Sequence, residues 1–94
     1  MDGQGKNQIQ SDPNGSNAIA VYPNPNKGIV YIKNGPMNGQ VEMFNILGQR
    51  ITSNKLIENE VAEVNYVDQI KGIYVIRISQ YGKPVYQGKV IKIE

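Results

Sequence analysis

The densest reactive groups in this 94-residue chain are carboxylates: Glu58, Glu60 and Glu63 crowd together, and Asp68 follows. A facing pair of carboxyl groups is what glycoside hydrolysis requires, one as acid and the other as nucleophile or base. On an extended strand, however, Glu60 and Glu63 project to opposite faces, so the run reads as a solvated edge. The chain has no histidine and no cysteine. That removes the commonest general base, the usual zinc ligands and the Cys–His nucleophile pair. The serines stand at 11, 16, 53 and 79, none of them in a G-x-S-x-G elbow. DPNGSN (12–17) begins like a calcium loop but lacks the later ligand positions and the bidentate glutamate. Gly35 and Gly39 flank a hairpin rather than a strand-to-helix turn, so no phosphate-binding loop is indicated. The expectation is a non-enzyme without metal or cofactor.

Charge and composition narrow the class further. The net charge is +2, and residues 1–17, with Asp2, Lys6 and Asp12, carry −1 of it, which leaves +3 on residues 18–94. With no Lys/Arg cluster and no aromatic stacking platform, a nucleic-acid partner is not expected. No apolar run approaches the roughly 20 residues that span a bilayer as a helix, so no transmembrane segment is expected. No signal peptide is read at the start, which suggests a piece of a longer exported precursor. Residues 1–17 are nearly all Gly, Asn, Gln, Asp and Ser and read as a flexible linker or arm.

From Ala18 onward the composition changes. Short runs rich in Val, Ile and Tyr alternate with turn residues, at the spacing of a β-sandwich. Seven strands are predicted: 18–22, 29–33, 40–46, 50–55, 60–66, 72–80 and 85–93. The sixth, GIYVIRISQ, is the clearest, and period-two alternation places Tyr74, Ile76 and Ile78 in the core. Ile73 and Val75 on its second face predict a central strand covered on both sides near its start. No window holds a 3.6-residue period. The predicted fold is all-β: an antiparallel sandwich of about seven strands, immunoglobulin-like, with Greek-key connections.

The stretch VYPNPNKG (21–28) stands out from the strand pattern. Each proline fixes φ and biases the residue before it away from the helical region, so Tyr22-Pro23-Asn24-Pro25 is expected to be extended. Gly28 then permits reversal into the next strand. A stiff exposed loop also loses little entropy on docking, which suits a recognition surface. Gly48 reads as a turn glycine, Gly72 likewise, and Tyr74 as a core tyrosine whose hydroxyl finds a partner at the sheet rim. In the last strand, GKVIKIE, apolar residues interleave with Lys89 and Lys92, read as solvated. That strand is expected at a sheet edge with backbone groups open to another chain.

Taken in order, VYPNPNKG, VEMFNILGQRI (41–51), QIKGIYVIRI (69–78) and the final GKVIKIE closely resemble the type A C-terminal sorting domain of the type IX secretion system. The likeness covers about residues 20–94. One departure is that Asn45 stands where members often carry aspartate, followed by Gly48-Gln49-Arg50. The resemblance implies a non-catalytic address label at the end of a larger exported protein. It implies passage through the periplasm and across the outer membrane to the cell surface or the medium, with the secretion machinery and a sortase-like protease as partners. Tyr22, Pro23, Asn24, Pro25, Gly28, Gly48, Gly72 and Tyr74 are its motif residues. Lys89, Val90, Ile91, Lys92, Ile93 and Glu94 are the expected contact with the machinery, and cleavage is expected around Gly15, Ser16, Asn17 and Ala18. Two other classes fit a small extracellular sandwich. A carbohydrate-binding or adhesion module would use Tyr31, Tyr81 and Tyr86 as a platform, although the chain has no tryptophan. A structural spacer would have no reason to stand at the end of a chain.

Overall fold

The computed structural model describes residues 18–52 and 55–94. Its strands are β1 (Ala20–Tyr22), β2 (Ile29–Lys33), β3 (Gln40–Phe44), β4 (Lys55–Leu56), β5 (Val61–Asn65), β6 (Gly72–Gln80) and β7 (Lys83–Lys92). Two antiparallel sheets form, one of order β1-β2-β5 and one of order β4-β3-β6-β7. The chain crosses between sheets after β2, β4 and β5, which gives the interleaved connections of an immunoglobulin-like sandwich. The short β4 lies beside β3 in the four-stranded sheet.

Alternation along each strand builds the core. Val30 and Ile32 of β2 and Ala62 and Val64 of β5 meet Val41 and Met43 of β3, Tyr74, Ile76 and Ile78 of β6, and Val90 of β7. Ile57, just after β4, closes the layer. The alternation predicted for β6 is present, and the strand is central, between β3 and β7. Its second face is not covered as expected: Ile73 is exposed and Val75 half-buried. That outer face is tied by Glu42, whose carboxylate accepts from Arg50 and Arg77, each at 3.2 Å. Arg77 also lies 4.7 Å above the Phe44 ring centre.

One local expectation is corrected. Among the described residues of the predicted strand 50–55, the pairing comes down to one bridge, Arg50 to Phe44, and to Lys55 in the two-residue β4; residues 53 and 54 lie outside them. In the Asn34-Gly35 and Asn38-Gly39 pairs it is the asparagines that take positive φ, both 64°. Asparagine tolerates this region because its short amide hydrogen-bonds locally.

Candidate functional site: the Tyr22–Gly28 loop on the last strand

The Tyr22–Gly28 loop is not a free turn. Both of its X-Pro bonds, Tyr22-Pro23 and Asn24-Pro25, are cis, where the sequence suggests a simple extended run. The loop lies along the outer edge of β7. Asn24 donates its side-chain amide to the carbonyl of Lys89 at 3.0 Å, and its amide oxygen accepts the N–H of Ile91 at 2.9 Å. Asn26 continues the pairing with its backbone, donating to the Ile91 carbonyl and accepting from the N–H of Ile93, both at 2.8 Å. The result is a parallel bridge between Asn26 and Lys92. From Lys89 to Ile93 the edge expected to be open is therefore occupied by the chain's own loop. An edge strand left bare invites aggregation, and coverage by a loop is one of the ways proteins prevent it.

Asn26 is the centre of this arrangement, although the sequence did not mark it. It is 3% exposed. Its side-chain oxygen accepts the N–H of Gly28 at 2.9 Å and the hydroxyl of Tyr66 at 2.6 Å, and its amide reaches the Pro23 carbonyl at 3.4 Å. The first of these is an Asx turn, and Asn followed two residues later by glycine is the signal that would have revealed it. Tyr66, just beyond β5, also donates its backbone N–H to Gly28 at 2.6 Å and packs edge-on against Tyr74, with ring centres 5.3 Å apart. One asparagine thus ties the loop to both sheets. Burial pushes the Tyr66 hydroxyl above the ordinary tyrosine pKa; the bond to Asn26 opposes that shift, and Tyr74 adds to it.

Gly28 has φ +115°, and a Cβ there would sit 2.6 Å from the Val67 Cα. Only glycine fits. The Lys92 side chain passes over the same spot, with its Cε 3.0 Å from that Cβ position.

The last strand inverts the expected pattern. Val90 pairs with Tyr74 and Lys92 with Gly72, so Val90 and Lys92 share the inner face. Lys92 is 5% exposed and packs its stem under the loop, so it is not the solvated residue expected. Lys89, Ile91, Ile93 and Glu94 are exposed. Ile93 joins Pro23, Pro25, Tyr31 and Val67 in an open groove of about 510 Å³, mostly apolar. Across its rim Lys27 and Glu94 approach to 3.8 Å. Tyr22 stacks obliquely on Tyr31, ring centres 5.8 Å apart.

The remaining motif residues lie nearby, at the same end of the sandwich. Asn45 accepts the N–H groups of Leu47 and Gln49 on its side-chain oxygen, at 2.9 and 3.0 Å. A neutral amide therefore does the turn-building work of an oxygen acceptor at this position, and Gly48 sits at φ +82° within that turn. Gly72 opens β6, and the Tyr74 hydroxyl donates to the Ile70 carbonyl. Of the proposed cleavage region, Gly15, Ser16 and Asn17 lie outside the described residues, and Ala18 is exposed.

Other chemistry is not assembled. Glu58, Glu60, Glu63 and Asp68 are all exposed. Among the described residues no group of three or more His, Cys, Asp or Glu side chains is gathered to hold a metal ion. Among the same residues no helix is long and apolar enough to cross a membrane. Tyr31, Tyr81 and Tyr86 do not form a platform. Tyr31 is on the outer side of the three-stranded sheet, Tyr86 packs against the core, and Tyr81 is on the β6–β7 turn.

What these features define is an immunoglobulin-like sandwich whose first loop is built onto its last strand. The sequence matches the secretion system C-terminal sorting domain family over residues 20–94, and the chain belongs to that family, the sorting signals of type IX secretion. Such a signal implies export to the cell surface or release from the cell. Comparison with curated protein sequences gave no match.

Proposed function

We propose that this domain is a non-catalytic export label read in its folded state. The secretion machinery of the outer membrane docks on the composite surface made by the Tyr22–Gly28 loop and the end of β7. A cargo attached before the domain passes from the periplasm across the outer membrane. A sortase-like protease then cuts around Gly15, Ser16, Asn17 and Ala18 and frees the cargo from its label. The observation that carries this reading is the stitching of Asn24 and Asn26 to Lys89–Ile93. It joins the two most distinctive sequence motifs into one rigid surface. Presentation in a fixed geometry lowers the entropy lost on docking. Lys89, Ile91, Ile93 and Glu94 supply the exposed part of the strand, while Val90 and Lys92 hold it down from the core side. A carbohydrate-binding role has less support, because the three tyrosines it would need are apart.

The test fuses the whole chain to the C-terminus of a periplasmic reporter in a Gram-negative host that has this secretion route. The parental fusion is expected outside the cell, with a new reporter C-terminus near residues 15–18. Asn24→Ala combined with Lys89→Glu, both exposed positions, is expected to keep the fold and leave the reporter in the periplasm. Parental-level export of that variant would refute the composite surface, and retention of the parental fusion would refute the label itself.

A further inference from the structure

The loop between β2 and β3 carries two Asn-Gly pairs, Asn34-Gly35 and Asn38-Gly39. Asparagine before glycine is able to close a ring on itself. The glycine nitrogen attacks the side-chain carbonyl carbon of the asparagine, and glycine has no β-carbon to hinder the approach. The nitrogen must first give up its proton, so a hydrogen bond that holds the N–H in its protonated form opposes the reaction.

The two pairs differ on that point. Both asparagines have φ 64°, so the backbone region does not separate them. Gly39 is buried, and its peptide groups are clamped. Its N–H donates to the Pro36 carbonyl at 2.9 Å, and its carbonyl accepts from the Ile57 N–H at 2.9 Å. The Asn38 N–H donates to the Ile57 carbonyl at 2.8 Å. Ile57 is fully buried, so this clamp is anchored in the core. The Gly35 N–H, by contrast, has no acceptor among the described residues. The Asn34 N–H donates to the Glu60 carbonyl at a long 3.3 Å, and its side-chain amide donates to the carbonyl of exposed Ala18 at 3.1 Å. Ala18 stands just before the three-residue edge strand β1, where local opening costs little. Position 35 is nonetheless held to glycine. A Cβ there would sit 2.6 Å from Cδ1 of Ile57 and 3.2 Å from Cγ2 of Ile32. Core packing therefore keeps the reactive dipeptide in place.

We infer that Asn34 is a deamidation site of the folded domain, with water as the second reactant, and that reaction there releases Ala18 from the β2–β3 loop. The deprotonated Gly35 nitrogen bonds to Cγ of Asn34. The Cγ–Nδ2 bond breaks, and Nδ2 leaves as ammonia with the proton that Gly35 gave up. Water then opens the five-membered imide. Opening at Cγ yields aspartate, and opening at the main-chain carbonyl carbon yields isoaspartate. Each product carries a carboxylate, which accepts hydrogen bonds and donates none, so the bond to the Ala18 carbonyl is lost. The inference does not depend on the export-label reading.

The test incubates the full chain at mildly alkaline pH, once folded and once in concentrated urea. Met37 lies between the two pairs, so cyanogen bromide cleavage puts Asn34 and Asn38 on separate peptides for mass spectrometry. In the folded chain Asn34 is expected to convert about 10-fold or more faster than Asn38, a ratio set by the bonds that clamp Gly39. In urea the two rates should converge. Exposure alone ranks the sites the other way, since Asn38 is exposed and Asn34 half-buried. Equal rates in the fold, faster conversion at Asn38, or conversion of Asn34 only in urea would each overturn the site. This comparison uses the parental chain and needs no variant to fold. Asn34→Asp reproduces one product, and amide hydrogen exchange in β1 should be faster in it than in the parent, with exchange in β6 unchanged. Exchange in β1 at the parental rate would overturn the release of Ala18.

Discussion

Replacing Asn26 with alanine strips two buried donors of their acceptor at once, the Gly28 N–H at 2.9 Å and the Tyr66 hydroxyl at 2.6 Å. Each buried group left without a partner costs about 1–3 kcal/mol. The bond to Pro23 at 3.4 Å is long and adds little. The sum is about 2–6 kcal/mol, against a total stability of roughly 5–10 kcal/mol for a domain of this size. In thermal terms, at about 4–8 °C per kcal/mol, the midpoint should fall by at least ~8 °C. Tyr66→Phe removes only the donor and leaves Gly28 bonded, so it should cost about 1 kcal/mol. Urea unfolding followed by far-ultraviolet circular dichroism on the parent, both single variants and the double variant completes the cycle. A coupling of at least about 1 kcal/mol between residues 26 and 66 is expected, because the double variant has no orphaned hydroxyl. An Asn26→Ala loss below about 0.5 kcal/mol, or strict additivity, would refute Asn26 as the fastener between the sheets.

Three further outcomes follow from the same geometry. Gly28→Ala should destabilise by about 3 kcal/mol or more, read in the same urea assay, since its Cβ would overlap the Val67 backbone at a positive φ. Tyr66 keeps its proton in the fold at pH values where the unfolded chain, with an ordinary value near 10, has lost it. The unfolded state then binds fewer protons, so stability should fall as pH rises above about 10; the fall should be shallower in Tyr66→Phe, compared by urea midpoints at pH 8, 9.5 and 10.5. Glu42→Gln breaks two ion pairs to Arg50 and Arg77, whose side chains are 48% and 39% exposed. The loss should be at most about 1 kcal/mol and should shrink in 0.5 M salt, measured by thermal unfolding.

The sequence was most legible where one face of a strand met the core. Tyr74, Ile76 and Ile78 alternate with Ile73, Val75 and Arg77, and no other register buries that set. In β7 the pattern is ambiguous, since apolar residues occupy both faces. Pairing of Val90 with Tyr74 decides it, turning Lys92 inward and Ile91 and Ile93 outward. That is a tertiary fact, invisible in GKVIKIE alone. The Tyr22–Gly28 loop was legible as stiff, yet its partner strand lies at the other end of the sequence. No local rule links Asn24 to Lys89, or Asn26 to Tyr66. The short β4 has few ladder bonds to specify it, so its boundary was the least readable.

The hydrogen bonds from Asn24 to β7 span 65 and 67 residues, almost the whole folded length. The loop therefore stays incomplete until residues 89–93 have been made. Contacts so remote in sequence form late, after the long intervening loop has been closed. A chain stopped before Ile91 would lack the Ile91 and Ile93 partners, leaving Asn24 only the Lys89 carbonyl and Asn26 only its bonds to Tyr66, Gly28 and Pro23. The loop thereby completes its shape only when residues 89–93 are in place, so its geometry registers the state of a strand far away in sequence.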